Sequence, residues 1–209
     1  MIKKVSDKNK AMMPIKSFSE VTKFHGHVCP GSAIGYKASE AGLNELKSSS
    51  APDEEIVAIV ENDSCAVDAV QVVTGCTLGK GNLIFVDHGK QVYTFYNRKT
   101  EDAVRISLKD SFSVDALAPK LGKLRAQVNA GNANELEKAD LKNMVVDVSN
   151  EILEIPYENM FDIEHVKMES PKKARIFKSV KCSKCGEMVS ENRSKVQKGN
   201  IVCIPCFKE

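Results

Sequence analysis

The sequence predicts an α+β fold: a mostly antiparallel sheet with helices packed on it, followed by a small metal-bound module. Three observations lead there. Short β-branched runs cluster in the middle of the chain, with helical spacing of apolar residues before and after them. The 209 residues, 42% of them hydrophobic, suffice for one ordinary core plus an appendage. Four of the seven cysteines crowd into the C-terminal end as two CxxC pairs.

The elements follow in order. Residues 1–13 read as a loose arm, and 15–24 as a short helix leading into FHGHVCPG, which reads as extended backbone. In SAIGYKASEAGLNEL, Ile34, Ala38, Ala41 and Leu46 recur at helical spacing, with Ser32 as N-cap. KSSSAPDEE is a loop, and EIVAIVEN is a buried strand. DSCAVDAVQVVTG reads as a helix capped near Asp63 or Ser64 and stopped by Gly75. GNLIFVDHGKQVYTFYNR predicts a hairpin turning at Asp87-His88-Gly89-Lys90. AVRISLK alternates as a further strand. From Asp115 to Ile155 the spacing is helical, in two pieces parted near GNAN, and Phe161, Ile163 and His165 alternate as a last short strand. Ser170-Pro171-Lys172-Lys173 marks a linker, which sets a core domain at 1–170 and a C-terminal module at 171–209.

Charge is uneven. Residues 171–209 carry ten Lys/Arg against three Asp/Glu, a surplus of +7, which leaves −5 on the first 170 residues of a chain whose total is +2. A zinc ion on four thiolates would bring the tail to about +5. That permits an acidic partner, but a solvated basic face is the simpler reading and nucleic acid is not expected. No apolar run approaches the ~20 residues of a membrane span. The start of the chain lacks a secretory apolar stretch, so the expected compartment is the cytoplasm. An odd number of cysteines argues for ligands or nucleophiles rather than a disulfide framework.

Cys182, Cys185, Cys203 and Cys206 have the spacing C-x2-C-x17-C-x2-C of a structural zinc site. Gly186 eases the turn that aims the first pair at one ion. The module has few apolar residues, so metal binding and folding should be one event. Its apolar side chains, Ile201, Val202, Ile204 and Phe207, suit docking on a partner.

The N-terminal half holds a second constellation. Along extended backbone His25, His27 and Cys29 would line one side of a cavity, with Phe24 and Val28 facing the core. The helix after Pro30-Gly31 would favour a thiolate at Cys29. Cys65 sits at a similar helix start. If the two helix N-termini converge, the result is a mixed N/S site for a second zinc or another soft divalent metal. Cys76 lies eleven residues beyond Cys65, about 16 Å along a continuous helix, and reaches the same ion only if its loop folds back. Two functions are open: an accessory metal-binding protein, or a small thiol- or metal-dependent enzyme. In the second, Cys65 or Cys29 attacks and His25 or His27 is the base. Glu61, Asn62 and Asp63 follow a strand end, a common place for site residues, while His88 reads as a turn residue. GCTLGKGN lacks the spacing and the GK[ST] of a phosphate loop.

FHGHVCPGSAIGYKA and ENDSCAVDAVQVVTGCTLGKGNL resemble the two signature blocks of the E-subunit family of formylmethanofuran dehydrogenase. The following DHGKQVYTFYNR continues the likeness, which covers roughly residues 18–155, and the terminal cysteines resemble the treble-clef zinc finger that some members append. The resemblance implies an α+β core, a homodimer, and a cavity lined by His25, His27, Cys29, Asp63, Cys65 and Cys76. It also implies an oxidoreductase complex as partner and a link to methanogenesis. The parent complex uses a molybdenum or tungsten pterin and iron–sulfur clusters. This chain has no ferredoxin-like cysteine run, so the implied role is accessory rather than catalytic.

Overall fold

The structure is a computed structural model that describes residues 15–208; the arm expected over residues 1–13 lies outside them. The chain divides into two compact units, the first ending at Lys173 and the second starting at Ala174.

The first unit runs α1 (Phe18–His25), α2 (Pro30–Glu45), β1 (Ile56–Val60), α3 (Ala66–Thr74), β2 (Leu83–Phe85), β3 (Val92–Asn97) and β4 (Ala103–Leu108). It continues with α4 (Val114–Leu117), α5 (Leu121–Asn129), α6 (Glu135–Glu154), α7 (Tyr157–Met160) and β5 (Phe161–Val166). The five strands form one mixed sheet in the order β2-β1-β3-β4-β5, in which only β1 and β2 are parallel.

The expected hairpin is absent, because β2 and β3 do not pair. β1, Ile-Val-Ala-Ile-Val, has no polar side chain to keep it at an edge, and it takes the place between them. Asp87–Lys90 does turn, but around the end of β1: Val86 N–H donates to Val60 O at 2.9 Å and Lys90 N–H to Glu61 O at 2.9 Å. β1-α3-β2 is thus a parallel crossover unit, and its helix lies over the sheet beside α2.

α2 is the central helix. Cys29 caps it rather than Ser32, with Pro30 at the first helical position. Eleven of its sixteen residues are buried. A Cβ on Gly35 would lie 2.3 Å from the Ala66 carbonyl oxygen, so only glycine lets α3 come this close. The core beneath is filled by Tyr93, Phe95, Ile106, Ile152, Met160 and Phe161. α6 opens on a reciprocal cap, in which Glu137 N–H donates to Asn134 Oδ1 at 2.9 Å and Asn134 N–H to Glu137 Oε2 at 2.8 Å.

The second unit is two small hairpins, β6 (Ser179–Lys181) with β7 (Met188–Ser190) and β8 (Ser194–Gln197) with β9 (Asn200–Cys203), ending in a 3-10 turn over Ile204–Cys206. Among the described residues its buried core is Cys182, Val202 and Cys203 alone. Among them, too, no helix is long and apolar enough to cross a membrane.

Candidate metal centres

In the second unit each CxxC pair sits at the end of a hairpin strand. The sulfurs of Cys182, Cys185, Cys203 and Cys206 all lie within 4.8 Å of one another. The Cys185 and Cys203 sulfurs are 3.8 Å apart. A tetrahedron with Zn–S bonds of about 2.3 Å requires an S–S edge of about 3.8 Å. Crowded sulfurs divide charge unequally. Backbone amides of Cys185 and Cys203 pull the Cys182 thiol down to about 6. The Glu187 amide pulls on Cys185 too, but the Cys182, Cys206 and Cys203 sulfurs push it up to about 12. A dication resolves that conflict, and the donor set fits zinc.

The first unit holds the other cluster, built differently from the extended segment that alternation suggests. Phe24 and His25 finish α1, and Gly26 ends it in the left-handed region at φ 91°, its N–H donating to Thr22 O at 2.9 Å. The chain then turns through His27 and Val28 to the extended Cys29 that caps α2. Phe24, expected inward, is 59% exposed for that reason. The turn still gathers the three residues: ligand atoms of His25, His27 and Cys29 lie within 4.8 Å of one another. His25 Nε2 is 3.6 Å from the Cys29 sulfur. Two ligands on one tetrahedral zinc, with bonds of about 2.05 and 2.3 Å, stand about 3.6 Å apart.

His25 is oriented from behind. Its Nδ1 lies 2.7 Å from Asp68 Oδ2, on the first turn of α3. The carboxylate accepts the Nδ1–H hydrogen bond, which holds the proton on Nδ1 and leaves the Nε2 lone pair facing the cluster. This bond raises the His25 pKa, against burial and with help from Cys29. For Cys29, burial works upward. The hydroxyl and amide of Ser32, the Cys65 thiol and the His25 charge outweigh it, and the pKa falls. Ser32 N–H donates to the sulfur at 3.4 Å.

Cys65 joins the group at its edge. A Cβ on Gly31 would lie 3.9 Å from the Cys29 sulfur and 4.0 Å from the Cys65 sulfur. Burial, then the Cys29 charge and hydrogen bond, raise the Cys65 pKa. The low-pKa thiol is therefore Cys29, not Cys65: a helix start favours a thiolate, but one sulfur already carries the charge. Cys65 also makes no cap bond.

The structure does not bring Cys76 to the cluster. It lies beyond the far end of α3, fully buried, its thiol donating to Ile56 O at 3.3 Å and pushed up to about 11 by burial. Asn62 accepts from Ser64 N–H and Oγ–H and donates to Lys90 O, so it shapes the turn. His88 pairs with Glu61 at 2.8 Å and His165 with Glu45 at 2.9 Å. Asp63 lines a cavity of about 500 Å³ together with His25, Cys65 and Asp68. Asp68 went unread in the sequence. Its signal was a carboxylate three residues after Cys65, one helical turn along the same face.

Three comparisons bear on this arrangement. Residues 24–162 match the family model described as FmdE, molybdenum formylmethanofuran dehydrogenase operon, and 175–209 match the prokaryotic dksA/traR C4-type zinc finger. A probable S-adenosyl-L-methionine-binding protein of Archaeoglobus fulgidus is 33% identical over 193 residues, 88% of this chain and 50% of that protein. The chain thus spans about half the length of that curated relative. An FmdE-like protein of Syntrophus aciditrophicus, of the tungsten formylmethanofuran dehydrogenase type, shares the fold, with a TM-score of 0.54 at 23% identity over 93% of this chain and 96% of that one. The cluster of His25, His27, Cys29, Cys65 and Asp68 falls wholly inside the first matched segment, and the chain belongs to the FmdE family with a C4 zinc finger at its C-terminus.

Proposed function

We propose that this metal-binding protein is an accessory component of a larger complex with two zinc-class sites, a structural one in the finger and a second in the core. His25 Nε2, His27 and the Cys29 thiolate would hold the core ion, with Cys65 beside it. The 3.6 Å spacing of His25 Nε2 and Cys29 Sγ, with Asp68 behind the ring, carries the reading. When bound, such an ion supplies a Lewis-acidic centre that polarises a ligand's oxygen, nitrogen or sulfur. The protein's own part is to fix the His25 tautomer through Asp68 and to keep Cys29 ionised through Ser32. We assign the basic finger to docking on an oxidoreductase partner, and the quaternary state to a homodimer in the cytoplasm.

Elemental analysis tests the core site. The full chain should carry two zinc equivalents, and His27→Ala/Cys29→Ser one, with the finger intact. A single equivalent in the unaltered chain rules the core site out.

The 500 Å³ cavity supports a second reading, a small molecule bound beside the core ion. S-adenosylmethionine, named for the Archaeoglobus relative, is one candidate, and isothermal titration with it is the direct check.

A further inference from the structure

We propose that the cavity beside the core cluster selects a small organic cation with an apolar body, its positive end held by the Asp63 carboxylate. Four observations combine. The cavity, about 500 Å³, is of small-molecule size. Its walls are aliphatic and aromatic, supplied by Val67, Leu78, Leu83 and Phe85. Leu78 is 73% exposed and Phe85 47%, so two large apolar side chains stand open to water at this one place. A ligand body that covers them removes that apolar surface from solvent.

The charge of the lining is one-sided. Besides His25, the ionisable groups are the carboxylates Asp63 and Asp68 and the thiol of Cys65, with no lysine or arginine. Asp68 is already engaged, Oδ2 with His25 Nδ1 at 2.7 Å and Oδ1 accepting from Gln71 Nε2 at 3.3 Å. Asn62 and Ser64 satisfy each other, Ser64 Oγ–H donating to Asn62 Oδ1 at 2.7 Å. Asp63 alone of these polar groups has no hydrogen bond or ion pair among the described residues. An anion entering here meets the unpaired Asp63 carboxylate, and the lining has no lysine or arginine to offset it. A neutral molecule gains only from the walls, and a cation gains from both.

Position gives the preference its use. His25 and Cys65 line the same cavity as Asp63 and Leu83, so a ligand bound there shares its walls with two residues of the candidate metal cluster. The inference rests on the small-molecule reading for the presence of a ligand, and it adds the ligand's charge class and the residue that reads it.

Equilibrium binding to the full, zinc-loaded chain tests it with three probes of similar size: benzyltrimethylammonium, benzyl alcohol and benzenesulfonate. The cation should bind about fivefold more tightly than the alcohol, a gap typical of one partly exposed charge pair, and the sulfonate most weakly. Asp63→Asn should abolish the gap while leaving alcohol affinity and zinc content unchanged. Leu78→Ser should weaken the cation and the alcohol alike, which ties the binding to this cavity. Equal binding of the three probes, or a gap that survives Asp63→Asn, overturns the charge rule. No binding of any probe overturns the proposal, while the small-molecule reading is decided separately by the titration with S-adenosylmethionine. The zinc count, read separately, leaves the metal site to stand or fall alone.

Discussion

At His25 a proton would compete with the proposed core ion for one ring. Asp68 holds the imidazolium as well as it orients the imidazole, so the ring keeps its second proton to a pH above the ordinary 6.5. Core metal affinity should therefore begin to fall, as pH is lowered, already above that value. Asp68→Asn should weaken core zinc about 10- to 100-fold at pH 8, as loss of a ligand's hydrogen-bond partner commonly does. It should also move the pH at which the affinity begins to fall to a lower value, a shift that loss of packing alone would not produce; zinc affinities measured against a chelator across pH read both. In metal-free protein Cys29 should react with iodoacetamide at lower pH than Cys65, and Cys29→Ser should remove the fast phase seen by peptide mass mapping. The clustering of His25, His27 and Cys29 was readable, because histidine and cysteine two positions apart are unusual without a task. Asp68 was not, since an aspartate in a helix's first turn is ordinary dipole chemistry. Nor was the ranking of the two thiols, which depends on how near they stand.

Helix α2 sets where the cluster can be. It carries Cys29 as its cap, and Gly35 brings it against the backbone of Ala66, the residue after Cys65. Gly35→Ala would force the two helices apart. Overpacking of this kind costs about 1–3 kcal/mol, and here the obstacle is a carbonyl that cannot rotate away. We expect a lower urea midpoint with an unchanged slope, and a loss of core zinc that Gly79→Ala, with nothing within 4 Å of the added Cβ, does not cause. Helices were legible from apolar spacing and from glycine stops such as Gly75. Strand existence was legible too, but pairing was not. Ile56–Val60 announces burial on both faces without saying which neighbours provide it, and Asp87–Lys90 looks the same whether it closes a hairpin or rounds a strand end. Alternation at His25, His27 and Cys29 likewise fits a strand or a glycine-ended helix followed by a turn; Gly26 was the available hint.

The whole molecule couples two different ways of staying folded. The first unit has a buried core of many aliphatic and aromatic side chains, whereas the second buries little beyond Cys182, Val202 and Cys203. Chelation should therefore collapse the spread of the finger's amide resonances while the first unit keeps a cooperative thermal transition, at a temperature lowered only by loss of the proposed core ion. Simultaneous collapse of both units in chelator would contradict this division. The sheet's two margins have one more effect. β2 is only three residues long, and β5 sets Asp162 and Glu164 along the opposite rim. Neither offers a long uncharged row of amides and carbonyls for a foreign strand to copy. Addition of a foreign strand is thus disfavoured at both borders of this five-stranded sheet, which turns its growth away from fibril-like extension.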